Sequence, residues 1–91
     1  MHGLYVTVNV QPGHQEEGLE FVKTNVIPLV KQAPGLVSGH WWSTQDGRGH
    51  SLLLFETVDA ANGAAAMAKS SPQPDYASVD GIEVVEIAAQ I

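Results

Sequence analysis

Apolar and polar residues alternate strictly from Leu4 to Val10. Leu4, Val6, Val8 and Val10 fall on one side; Tyr5, Thr7 and Asn9 fall on the other. This is the period of a β-strand, and the β-branched content agrees with it. Pro12-Gly13 ends the run. The period then changes. Leu19, Val22, Val26, Leu29, Val30 and Ala33 recur at helical spacing within an arc of about 100°. They predict a helix over 14–33 whose apolar stripe covers a sheet. Glu16 and Glu17 suit its positive N-terminal end, and Pro34-Gly35 stops it. Pro28 lies inside the pattern, where it removes a backbone donor and should kink or divide the helix. Phe21 points away from the stripe.

Residues 36–45 and 49–57 read as two strands joined by a tight turn at Asp46-Gly47, a strong hairpin signal. A second helix is expected over 59–69, capped by Asp59. It is almost all alanine, with Met67 its only bulky apolar side chain. The segment 70–81 has the Ser, Pro, Asp and Gly content of a loop. A last strand is expected over 82–89. The order is β-α-β-β-α-β. With right-handed crossovers it gives an α+β, ferredoxin-like fold: a four-stranded antiparallel sheet with both helices on one face. The length of 91 residues suits one domain, 1–91.

The strands are apolar on more than one side. Leu52-Leu53-Leu54-Phe55 places apolar groups on both faces of the sheet, as do adjacent Trp41 and Trp42 and the pair Val84-Val85. A strand apolar on both sides is normally buried on both. Helices cover one face, so a second copy of the chain is expected on the other, as a homodimer. The chain has no cysteine to brace a small core by disulfides or a thiolate metal site. Its 44% hydrophobic and 15% charged residues are the balance of a globular chain, not a disordered one.

Four basic residues against ten acidic ones, a formal net charge of −6, argue against nucleic acid and anionic membrane surfaces as partners. The stretch Met1-His2-Gly3-Leu4-Tyr5 has no basic region and reads as the start of a strand. No apolar run approaches a membrane span. A cytoplasmic location is expected.

The segment Ala33-Pro34-Gly35-Leu36-Val37-Ser38-Gly39, leading into Trp41-Trp42, resembles the helix-to-strand junction of dimeric α+β barrel proteins. It is most similar to their antibiotic-biosynthesis-monooxygenase-like branch. The segment Gly49-His50-Ser51-Leu52-Leu53-Leu54-Phe55-Glu56-Thr57, running into an alanine-rich helix, fits the same layout. That superfamily includes cofactor-free oxygenases, haem-degrading enzymes, lactone isomerases and proteins of no known activity, so fold alone selects no function. In haem-degrading relatives an Asn on the first strand, a Trp, and a His on the second helix cooperate. Asn9 matches in type and strand, and a Trp stands at 41 or 42. No histidine occurs between Thr57 and Ile82, which sets haem degradation aside. In cofactor-free oxygenases Asn, Trp and Tyr side chains hold a polycyclic phenol. The resemblance would give those parts to Asn9, Trp41 or Trp42, and Tyr76.

The candidate catalytic residues are therefore Asn9, His40, Trp41 and Trp42. Asn is disfavoured in mid-strand, and its amide could bond a ligand carbonyl or oxyanion. An indole offers an aromatic ligand a flat wall. His40 could act as a general base. Phe55, Met67 and Tyr76 are candidates for substrate contact, in a pocket between the alanine helix and the sheet with 70–81 as its lid. Closing the turn over Asp46-Gly47 sets His40 opposite Leu53 and His50 opposite Ser43. The two imidazoles then lie on opposite faces, so no metal site is expected. Glu83 and Glu86 also point to opposite faces and make no carboxylate pair. No nucleophile elbow, phosphate loop or dinucleotide fingerprint occurs, and no cofactor is expected. Two functions fit: a dimer binding a small, largely apolar, aromatic molecule, in the manner of a cofactor-free monooxygenase, or a non-catalytic dimeric interaction module.

Overall fold

A computed structural model describes residues 1–91. Strand β1 (His2–Val10) is followed by a divided first helix. Its parts are α1 (Gln15–Phe21), a π-helical turn (Val22–Val26) and α2 (Ile27–Val30). Then come β2 (Leu36–Ser43), β3 (Arg48–Phe55), helix α3 (Val58–Ser70) and β4 (Ala77–Glu86). The four strands form one antiparallel sheet in the order β2-β3-β1-β4. This is the ferredoxin-like βαββαβ arrangement that the hydrophobic periods predict.

Pro28 explains the division of the first helix. It has no N–H for the carbonyl four residues back, and its ring crowds that carbonyl. The chain widens by one residue just ahead of it. The Ile27 N–H donates to the Val22 carbonyl, five residues back, and α-helical bonding resumes with Lys31 N–H to the Ile27 carbonyl at 3.0 Å. Gly13 (φ 88°) and Gly35 (φ 75°) turn the chain into and out of the first helix in a region that only glycine enters freely.

Three boundaries differ from the sequence reading. Helix α3 is capped by Thr57, whose hydroxyl accepts from the Ala60 N–H at 3.1 Å; Asp59 lies inside the first turn. Strand β4 begins at Ala77, not at 82. Residues 77–79 pair with the far half of β1, and a bulge between Val79 and Gly81 absorbs Asp80. The turn-forming composition of 77–81 is overridden by that pairing. The hairpin loop spans Gln45, Asp46 and Gly47, with Thr44 N–H bonded to the Arg48 carbonyl at 3.0 Å and Gly47 at φ 85°. A three-residue loop with its last residue left-handed shifts the register by one relative to a two-residue turn. His40 therefore pairs with Leu52, not Leu53, and His50 with Trp42, not Ser43. The shift puts both imidazoles on the same face and overturns the expected separation. His50 already has both ring nitrogens engaged, by Tyr5 and Thr44. No group of three His, Cys, Asp or Glu side chains comes together.

The buried core is small and lies under α3. It consists of Leu4, Leu53, Phe55, Ala61 and Ala65, with Val6, Val30, Leu36, Trp41, Ile82 and Val84 packed around it. Alanine's short side chains let α3 dock closely on the sheet. No helix is long and apolar enough to cross a membrane.

Candidate functional site

The first helix stands away from the sheet where α3 does not. Its stripe residues Leu19 and Leu29 remain 52% and 45% exposed, although they point toward the strands. The gap is a cavity of about 730 Å³, and 21 of its 34 lining residues are hydrophobic. That volume lies within the ~300–1,000 Å³ of ordinary small-molecule sites. The floor is the helix-side face of the sheet: Leu4, Val6, Val8 and Val10 of β1, Trp41 of β2, and Ser51, Leu53 and Phe55 of β3. The roof is the first helix, and Ala64, Met67 and Ala68 of α3 make the side wall. The segment after α3, with Pro72, Gln73 and Tyr76, closes one edge.

Trp41 is the aromatic wall of this cavity, and Gly39 makes room for it. A Cβ on Gly39 would lie 2.9 Å from the Trp41 ring and 3.0 Å from Leu53. The indole thus folds back flat over the glycine two residues earlier. Gly39→Ala should tilt the indole off the sheet into the cavity and destabilise the fold by about 1–3 kcal/mol. In a Trp42→Phe background, where Trp41 is the sole indole, its emission should shift. An unchanged spectrum would show that the slot is not needed.

Of the other candidates, Phe55 is fully buried and serves as floor and core at once. Met67 lines the wall and remains 46% exposed. Tyr76 lines the edge and stacks on His14, with ring centroids 4.9 Å apart and planes within 5°. Asn9 and His40 do not line the cavity. Asn9 pairs with Arg48 and Ser78, has the parity of Tyr5 and Thr7, and is exposed on the opposite face of the sheet. His40 is exposed on that same opposite face. Neither can orient a molecule held under the helices.

Trp42 also belongs to the opposite face, and it meets the cavity only where the hairpin end borders it. There it stacks with His50 (centroids 5.5 Å apart) and Tyr5 (6.3 Å). A hydrogen-bonded chain runs through this cluster. The Tyr5 hydroxyl lies 2.7 Å from His50 Nδ1, His50 Nε2 lies 3.1 Å from Thr44 Oγ1, and the Thr44 hydroxyl donates to Asp46. The Thr44 hydroxyl, followed by the Arg48 backbone N–H, holds the Asp46 carboxyl below its ordinary value of 3.8. Asp46 therefore steadies the turn above the usual carboxylate range and ceases to do so as pH falls through its lowered value.

Two polar residues that the sequence reading passed over face the cavity. Asn25 sits in the π turn, in line with Val22 and Leu29 on the roof, and Ser51 sits mid-floor between Val6 and Trp41. The signal for Asn25 was available: it borders the apolar helical stripe on the side of Val22 and Leu29, three residues before a proline. Ser51 lies outside the apolar run Leu52-Leu53-Leu54-Phe55 and carries no signal of its own in the sequence.

No protein-family model matches the sequence, and no curated protein matches it either. Solved structures do match. The haem degrader MhuD of Mycobacterium tuberculosis, with two haems bound in its active site, superposes with a TM-score of 0.75 at 17% identity, covering 100% of this chain and 99% of that one. The NE2512 protein of Nitrosomonas europaea, of unknown function, gives 0.67 at 20% identity, covering 99% and 91%. A monooxygenase from the ActVA-Orf6 gene of Streptomyces coelicolor, in complex with nanaomycin D, gives 0.63 at 16% identity, covering 99% and 89%. The chain thus has the fold of the antibiotic-biosynthesis-monooxygenase-like proteins that its sequence resembles. At these identities the likeness concerns the fold alone.

Proposed function

We propose that the chain is a homodimer that binds a small, largely apolar, aromatic molecule between the sheet and the first helix, and that it oxygenates that molecule without a cofactor. The cavity carries the reading. About 730 Å³ of apolar space beside an indole wall is suited to a flat hydrophobic ligand. The ligand-bound Streptomyces monooxygenase of the same fold supports oxygenation over binding alone. The reaction would begin with loss of a proton from the substrate, whose carbanion then reduces dioxygen. For anthrone the balance is one dioxygen consumed, one oxygen atom retained as the new carbonyl of anthraquinone, and one released as water. Tyr76 is the phenol that lines the cavity.

Haem fits these residues poorly, although MhuD binds it. The wall that α3 presents is Ala64, Met67 and Ala68, with no histidine. Arg48 is the one cation among the lining residues, and Asp80 (3.7 Å) and Asp46 (3.9 Å) already flank it, so propionates would find little compensating charge.

The homodimer is supported by the sheet face that no element of the chain covers. It carries Trp42, Leu52, Leu54, Tyr5 and Val85, with Trp42 43% exposed. Anthrone tests the function. Binding should quench Trp41 emission in the Trp42→Phe background, oxygen uptake should follow, and Ala64→Phe, which fills the wall, should abolish both. Binding without uptake would favour the non-catalytic reading, and failure to bind would remove the cavity from consideration.

A further inference from the structure

We infer that the cavity selects a neutral ligand bearing one carbonyl or hydroxyl oxygen, held between Asn25 above and Ser51 below. The inference rests on the cavity being the binding site. The roof that α1, the π turn and α2 present is apolar from Gly18 to Val30, with Asn25 its one polar residue in that span and Gln15 at its start. The floor beneath is likewise apolar around Ser51, which pairs with Val6 on one side and Trp41 on the other.

Neither the Asn25 amide nor the Ser51 hydroxyl takes part in any side-chain hydrogen bond of the chain. In the free protein both can be hydrated. Asn25 is exposed and Ser51 half-buried, so an apolar ligand lying against them would strip that water and leave an amide and a hydroxyl unpaired at the contact, which is costly. A ligand oxygen placed between them would satisfy both. Asn offers two donors and an acceptor, and Ser one donor and acceptor lone pairs, so a carbonyl can accept from both and a hydroxyl can donate to either. The other polar groups are less suited. Gln15 already accepts from the Gly13 N–H at 3.1 Å, Ser71 already donates to the Met67 carbonyl at 2.8 Å, Gln73 and Tyr76 lie in the segment at the cavity's edge, and Ser43 and His50 stand at the hairpin end, His50 already bonded to Tyr5 and Thr44.

The charge distribution sets the second half of the inference. No lysine lines the cavity, and its one arginine is flanked by two carboxylates. A carboxylate on the ligand would enter an apolar space with no free cation to meet it.

Three flat probes of matching shape provide the test: fluorene, 9-fluorenone and fluorene-9-carboxylate, titrated against Trp41 emission in the Trp42→Phe background. Fluorenone should bind roughly ten- to a hundred-fold more tightly than fluorene, by the cost of leaving such groups unpaired. The carboxylate should bind more weakly than either. Asn25→Leu and Ser51→Ala should each reduce the preference for fluorenone while leaving fluorene affinity equal or improved. Equal affinities for fluorene and fluorenone would overturn this inference while leaving the cavity as the binding site. So would a preference that survives both substitutions. If no probe binds and Ala64→Phe changes nothing, both this inference and the reading beneath it fall.

Discussion

Phe55→Ala is expected to remove about 3–5 kcal/mol of folding stability, the range for emptying a buried aromatic site. Phe55 has no exposed surface, and it is the largest member of a core of five residues, two of which are alanines. Its neighbours cannot collapse into the gap. Leu4 and Leu53 are anchored in adjacent strands by a continuous hydrogen-bond ladder, and Ala61 and Ala65 have no length to give. A domain of this size has on the order of 5–15 kcal/mol in total, so the variant should be largely unfolded in modest denaturant. Urea unfolding followed by far-UV circular dichroism, at matched protein concentration, is the measurement, since pairing and folding are linked for a dimer. A midpoint within error of the parent would mean that the core lies elsewhere. Phe21→Ala, on the first helix beside the cavity, should cost much less and serves as the control.

Leu52→Lys is expected to separate the subunits. Leu52 is central on the uncovered sheet face, paired with Tyr5 on one side and His40 on the other. An ammonium there would be enclosed by a second copy with no carboxylate partner from its own paired neighbours. An unpaired buried charge costs several kcal/mol, enough to weaken association by a factor on the order of a thousand. Sedimentation equilibrium at micromolar concentration should give about twice 9.7 kDa for the parent and about 9.7 kDa for the variant. The folded monomer should keep its cavity, because Leu52 does not line it. A parent that sediments at the mass of one chain would remove the homodimer from the proposal. A variant that remains a dimer would mean that association uses another surface.

These two sites show what the linear pattern of the chain can and cannot reveal. Alternation alone separates Leu53 and Phe55 from Leu52 and Leu54, and so tells the floor of the cavity from the opposite face. The same parity keeps Asn9 off the helix side, because it follows Tyr5 and Thr7. Its assignment to the site rested on the resemblance and on the rarity of asparagine in mid-strand, neither of which says which face it takes. Tertiary contacts decided the rest. The start of β4 depends on what 77–79 meet in β1, and composition does not carry that information. The hairpin register depends on whether Asp46-Gly47 sits in a two- or three-residue loop, a difference that moves His50 across from Trp42 and beside Tyr5. The size of the cavity depends on how far the first helix stands from the sheet, which neither its stripe nor its proline states.

The π turn ahead of Pro28 adds one residue to the helical ladder, and an α-helix turns about 100° per residue. Everything N-terminal to it, from Gln15 through Phe21, is therefore rotated by that angle relative to an uninterrupted helix. Phe21, which points away from the stripe of an uninterrupted helix, lines the cavity beside Gly18 and Leu19 in the offset one. Within this fold, the gain or loss of one codon at that point would re-aim half of the ceiling without altering a single strand. Lineages sharing the scaffold could thus exchange one cargo for another through an indel, with the sheet that supports the chamber left untouched.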